Sequence, residues 1–239
     1  MSDPLRIGFV VEGTTDRVVL ESVVSRLLGE CEFEPVQLSP LLSDAFAPIS
    51  GGGWTPVYFW CRQTAEQAGG IARKAPLFET FDVVIIHVDA DVAGKRYQDD
   101  QRIVPSANDL PWAKPCPPAF ATTDALRRVM LGWMGEADFP PKTVFCTPSR
   151  DIDTWVLVAL FPDNQFSKGA NVECHAKAQS QLQSQKISEK LIRSGKKEIQ
   201  KYFKRAPDIA AAWPRVRERC TEAERFSTEF LTATRQQTV

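Results

Sequence analysis

Residues 83–88, VVIIHV, are apolar on both sides of an extended chain apart from one imidazole, and two carboxylates follow at once in Asp89-Ala90-Asp91. A strand that is apolar on both faces must be covered on both, which happens in the middle of a parallel sheet flanked by helices. This run therefore predicts an α/β fold, and the remaining segments agree with it. RIGFVV at 6–11 reads as a first strand, broken by EGTTD, and residues 16–28 carry Val18, Val19, Val23, Val24, Leu27 and Leu28 at helical spacing. Thr14 or Thr15 would cap that helix and Gly29 would follow its end.

A loop is expected over about residues 35–53. WTPVYFWCR at 54–62 reads as a second strand despite Pro56, and TAEQAGGIARKA as a helix broken by two glycines. FDVVIIHVD is the third strand. Residues 95–119 hold five prolines between Pro105 and Pro118 and predict an irregular insertion. TTDALRRVMLGWM then reads as a helix, KTVFCTP as a fourth strand and RDIDTWVLVALF as the helix behind it. Residues 1–165 thus form an expected α/β domain, and 166–239 a helical extension packed on it.

With 43% hydrophobic and 25% charged residues, the 239-residue chain is of ordinary globular composition, and its net charge of −1 gives no overall basic signal. That near-neutrality hides a split: residues 186–225 hold twelve Lys or Arg against six Asp or Glu, a net of +6, leaving −7 elsewhere. The basic segment is either a solvated helical face or a surface for phosphate backbones. Tyr202, Phe203 and Trp213 are interleaved with it, either to pack helices or to stack on bases. The six cysteines include no C-x-x-C pair, which suggests reduced thiols rather than disulfides or a zinc site. The N-terminus lacks a secretory cleavage pattern and WVLVALF is too short to cross a bilayer, so a cytoplasmic protein is expected.

Ligands of open α/β sheets gather beyond the carboxyl ends of the strands. Three segments place acids there: Glu12 with Asp16, then Asp89 with Asp91, then Ser149 with Asp151 and Asp153. If the chain stays extended, Asp89 and Asp91 point the same way. Packed carboxylates raise one another's pKa unless cations neutralise them. Oxygen donors with no Cys or His cluster suit Mg²⁺ or Mn²⁺ rather than zinc. Plainer roles exist for some of them: Asp16 as an acid favoured by the helix dipole, Asp151 and Asp153 as caps, Gly13 as a turn residue, His87 as a core histidine. Nothing in a buried strand end calls for the pair Asp89 and Asp91 together with Glu12.

VVEGTTD at 10–16 followed by HVDAD at 87–91 resembles the signature of the TOPRIM domain, a glutamate after the first strand and a D-x-D after a later hydrophobic strand. Within that family the chain is most similar to small stand-alone proteins near the overcoming-lysogenization-defect nucleases, through EGTTD and SRDIDTWVLVAL. The resemblance covers roughly residues 5–160. It implies a compact, mainly parallel sheet and a metal-dependent nuclease acting on DNA or RNA, found in bacterial anti-phage loci. It also implies that Glu12, Asp16, Asp89, Asp91 and Asp153 surround Mg²⁺ or Mn²⁺, with Glu12, Asp89 and Asp91 in catalytic positions and Ser149 or Asp151 less firmly placed. Lys186, Lys190, Lys196 and Lys197 are the candidate nucleic-acid contacts, and Lys168, Lys186, Lys190 or Lys196 the candidate cation for the scissile phosphate. No G-x-x-x-x-G-K-[ST] motif is present, so any motor would be a separate ATPase. A catalytically silent subunit docking on such an ATPase, or another metal-dependent phosphoryl transfer, would use the same sequence features. The Pro-rich insertion has no counterpart in the family pattern.

Overall fold

The computed structural model describes residues 3–41, 52–103 and 110–235. Strand β1 (Leu5–Val10) leads into helix α1 (Thr14–Leu28), and β2 (Phe33–Ser39) returns alongside β1. Helix α2 (Trp54–Gln67) and the short α3 (Leu77–Thr80) precede β3 (Val83–His87). Of the expected insertion at 95–119, residues 104–109 lie outside the described residues; after it come α4 (Phe120–Trp133), β4 (Thr143–Cys146) and α5 (Asp153–Leu160). The four strands form one parallel sheet in the order β2-β1-β3-β4. The α/β class read from the sequence is the class observed.

Alternation along the strands divides the core into two layers. Ile7, Phe9, Val83, Ile85 and Val144 face one layer with α1 and α5, while Val10, Val84, Ile86 and Phe145 face the other with α2 and α4. The expected doubly covered strand is fully buried along Val83–His87, paired with β1 on one side and β4 on the other. Gly29 ends α1 with φ 65°, as expected, but Gly13 rather than a threonine occupies the N-cap position.

The second strand is not where the sequence placed it. Residues 54–62 are helical, and the buried apolar side chains Trp54, Val57, Cys61 and Ala65 recur at helical spacing. Pro56 falls in the first turn, where a helix has no use for its missing N–H. The true second strand, β2, overlaps the start of the expected loop. As an edge strand bonded to β1 alone, it tolerates Pro35. The two glycines do break the helical stretch: Gly69 and Gly70 take φ of 75° and 97° just after α2.

Beyond residue 160 the chain forms α6 (Gln165–Lys168), α7 (Ala178–Ser184), a hairpin of β5 (Ile192–Arg193) and β6 (Lys196–Lys197), then the long α8 (Ile199–Arg219) and α9 (Thr221–Arg235). Ser194 and Gly195 both have positive φ, the geometry of a two-residue hairpin turn. Helix α8 packs on α1 and α5. Trp155 of α5 meets Trp213 of α8 edge to face at 5.5 Å and stacks against Phe226 of α9 at 6.4 Å. The C-terminal helices therefore complete the core layer beside α1 rather than forming a core of their own. No helix among the described residues is long and apolar enough to cross a membrane.

The cysteine reading also needs correction. Cys116 and Cys174 form a disulfide, whereas Cys31, Cys61, Cys146 and Cys220 are free. The two partners are 58 residues apart, so local spacing gave no sign that the Pro-rich segment folds back onto the C-terminal region.

Candidate active site

Strands β1, β3 and β4 run in the same direction, so the loops leaving them meet at one edge of the sheet. Glu12 lies two residues past β1 and is buried; its Oε1 accepts a 2.8 Å hydrogen bond from the backbone N–H of Asp89. The carboxylate Oδ1 of Asp89 accepts in turn from the N–H of Ile152, at 2.9 Å, and pairs with His87 Nε2 at 3.0 Å. These bonds join the three loops. Backbone bonds extend the seam, from Ala90 N–H to Pro148 O and from Asp91 N–H to Arg150 O.

Asp89 and Asp91 do not project together. The chain leaves the extended conformation at a 3₁₀ turn over Ala90–Val92, leaving Asp89 buried and Asp91 at the exposed rim. Asp151 is buried and caps the first turn of α5, its Oδ1 accepting from Thr154 N–H and Oγ1. Asp153 is fully buried: Oδ1 accepts from the Tyr202 hydroxyl at 2.7 Å, and Oδ2 lies 3.0 Å from Lys197 Nζ. The same ammonium lies 3.2 Å from Asp16 Oδ1, so Lys197 bridges the start of α1 and the start of α5. Gly13 has an ordinary extended φ of −159°, and a Cβ there would stand 3.2 Å from Asp16 Oδ2.

The electrostatics follow from this crowding. Burial pushes the Glu12 carboxyl well above its usual range, and the charges of Asp89 and Asp16 add to the shift. Asp89 is raised by burial, although His87 opposes the shift. Asp151 is pushed up to about 8 by burial and by Asp89 and Asp153, and Asp91 to about 6 by desolvation and Asp89. Burial alone would lower His87, but the adjoining Asp89 outweighs it and the net shift is upward. Lys197 likewise resists its burial and is held well above the ordinary lysine value by Asp16 and Asp153. His87 Nδ1 is buried without a hydrogen-bond partner.

Among the described residues, no three carboxylate, imidazole or thiol groups stand as a ready-made metal cage. The chemistry of the set still fits a hard divalent ion. Its donors are oxygens, several are protonated more readily than isolated acids because they are buried and because neighbours repel their charge, and an ammonium is already drawn between two of them.

Lys197 and Tyr202 are the site residues whose roles sequence reasoning missed. Lys197 stood among the nucleic-acid contacts, but alternation along β6 turns it inward and leaves Lys196 exposed. Lys186 is exposed and Lys190 half-buried, both outside the acid cluster's contacts; Lys168 pairs with Asp163 at the surface. Tyr202 and Trp213 are buried, as packing residues would be, whereas Phe203 is exposed. Ser149 is buried with its Oγ 3.9 Å from Cys116 Sγ. Comparison with protein families, curated proteins and solved structures finds no match for this chain.

Proposed function

We propose that this chain is a metal-dependent phosphodiesterase of TOPRIM type that hydrolyses DNA or RNA, with Mg²⁺ or Mn²⁺ as cofactor. One observation carries the reading: acids from the ends of three parallel strands meet at a single edge, where burial first and neighbouring charges second hold Glu12, Asp89 and Asp151 above the ordinary carboxylate range. Glu12, Asp89 and Asp91, with Asp16 and Asp153 beside them, would hold the ion. A divalent ion held there lowers the pKa of water and stabilises charge on phosphate oxygens.

The chain's own groups supply the rest. Glu12, held above the usual carboxylate range by burial and placed at the seam, would be the group that gives or takes a proton. Lys197 is the cation nearest the acids and would meet negative charge gathering on a phosphate. Tyr202 fixes the Asp153 carboxylate through its hydroxyl. The hairpin that carries Lys197 also presents Lys196 and Arg193 outward. We place the protein in the cytoplasm, as an effector of a bacterial anti-phage system with a separate ATPase as a possible partner.

The test is incubation with supercoiled DNA and with tRNA in Mg²⁺ and in Mn²⁺. Cleavage of one substrate, lost in Asp89→Ala, is expected; no cleavage in either metal, or equal cleavage by the variant, defeats the reading. One observation favours the silent docking subunit instead, namely that Lys197 already neutralises Asp16 and Asp153. Calorimetry separates the two, because a silent subunit would take up neither ion.

A further inference from the structure

We propose that the Cys116–Cys174 disulfide is a reducible clamp, holding the Pro-rich segment against the loop at 147–153 and ordering that loop when oxidised. Cys116 lies in the irregular chain before α4, and Cys174 ends a 3₁₀ turn over Val172–Cys174. Both residues are half-buried. Of the free cysteines, Cys61, Cys146 and Cys220 are buried, and burial pushes each of these thiols upward, away from the reactive thiolate. The accessible thiol chemistry of the described residues therefore lies in the disulfide and in the exposed Cys31.

The clamp grips two load points of the fold. On one side, Cys116 Sγ lies 3.9 Å from Ser149 Oγ. The residues around Ser149 form the seam: Pro148 O accepts from Ala90, Arg150 O from Asp91, and Ile152 N–H donates to the Asp89 carboxylate. On the other side, Glu173 is buried next to Cys174. Its carboxylate accepts from Thr221 N–H at 2.6 Å, Thr221 Oγ1 at 2.8 Å and Glu222 N–H at 3.1 Å, fixing the start of α9. The disulfide thus joins Cys116, which touches the acid-bearing loop at Ser149, to Cys174, the neighbour of the Glu173 that holds the start of α9.

Opening it is ordinary exchange. A dithiol attacks one sulfur, the S–S bond breaks, a mixed disulfide forms, and the second thiol of the reagent displaces the remaining cysteine. Two electrons and two protons pass from the dithiol, which becomes a disulfide, and both cysteines end as thiols. With the tether gone, the Pro-rich segment is held near Ser149 by non-covalent contacts alone. The loop then samples more conformations, and an ion that needs Asp89 and Asp153 in place binds more weakly. This last consequence rests on the metal reading above; the clamp itself does not.

The experiment uses the full chain with and without dithiothreitol. Alkylation after denaturation should count four free thiols before reduction and six after it. Hydrogen exchange of residues 147–153 and 172–174 should quicken by about threefold or more on reduction, and Mn²⁺ affinity should fall by a similar factor. C116S/C174S should match the reduced protein without reagent and ignore dithiothreitol, while Cys31→Ser should keep the full response. Six thiols before reduction, or unchanged exchange at 147–153 in the reduced wild type, overturns the clamp, whether or not the double variant folds. Quickened exchange with no Mn²⁺ uptake in either state leaves the clamp standing and removes the metal reading instead.

Discussion

Lys197 is the residue on which the acid cluster turns. Its ammonium answers two buried carboxylates, so Lys197→Met would leave Asp16 and Asp153 facing each other without a counter-charge. Breaking a buried pair in this way costs about 3–5 kcal/mol. Because a quarter of the Lys197 side chain is exposed, a loss nearer the lower figure is expected in urea unfolding. Added Mn²⁺ should recover part of it by replacing the ammonium. Lys196→Met, one residue away and exposed, should change stability by less than about 0.5 kcal/mol. Tyr202→Phe removes the donor to Asp153 Oδ1 and should cost about 1–3 kcal/mol, since the acceptor stays buried. Asp151 gives a pH signature. Its pKa rises from an ordinary 3.8 to about 8 on folding, so between those values the folded state holds the proton more tightly than the unfolded chain. That contribution to stability is complete below about pH 4 and is lost as pH rises through about 8. Melting temperatures measured in chelator should therefore fall less steeply across this window in Asp151→Asn than in the wild type.

At the scale of the element, α2 and β2 show how local preference loses to tertiary position. The stretch WTPVYFWCR is rich in residues that favour strands, yet its buried positions recur at helical spacing because one side of it covers Val10, Ile86 and Phe145. The edge strand FEPVQLS carries a proline and two exposed residues, so it lacks the apolar run that marked β3. Two substitutions check the assignment by thermal melting. Pro56→Ala should be nearly neutral, since the first helical turn does not use that N–H, whereas Gln63→Pro in the same helix should cost about 3 kcal/mol or more. If 54–62 were extended in the folded protein, Gln63→Pro would be the mild change of the two.

For the whole molecule, the boundary expected near residue 165 marks a change in composition more than a break in the core. Trp155, on the N-terminal side, is covered by Trp213 and Phe226 from the other, and α8 lies along both α1 and α5. A chain ending at residue 165 should therefore expose that apolar layer and lose cooperative unfolding, observed as a broad, shallow urea transition. A sharp transition like that of the full chain would show the first 165 residues to be self-sufficient. The basic excess over residues 186–225 is likewise shared between surfaces. Arg193, Arg217 and Arg225 are engaged with acids, while Lys186 and Lys196 remain outward.

The sheet's class and the three strand ends that bear acids are legible in the order of the residues. Burial on both faces of VVIIHV leaves one architecture, and acids that interrupt such runs are visible without coordinates. The rest came from packing between distant segments: that Asp91 stands at the rim while Asp89 turns in, that Lys197 rather than Lys196 enters the cluster, that residues 33–39 supply the second strand, and that Cys116 reaches Cys174. Each of these depends on which distant segment packs alongside. Periodicity within a segment records how many of its faces are buried, but it does not record what buries them.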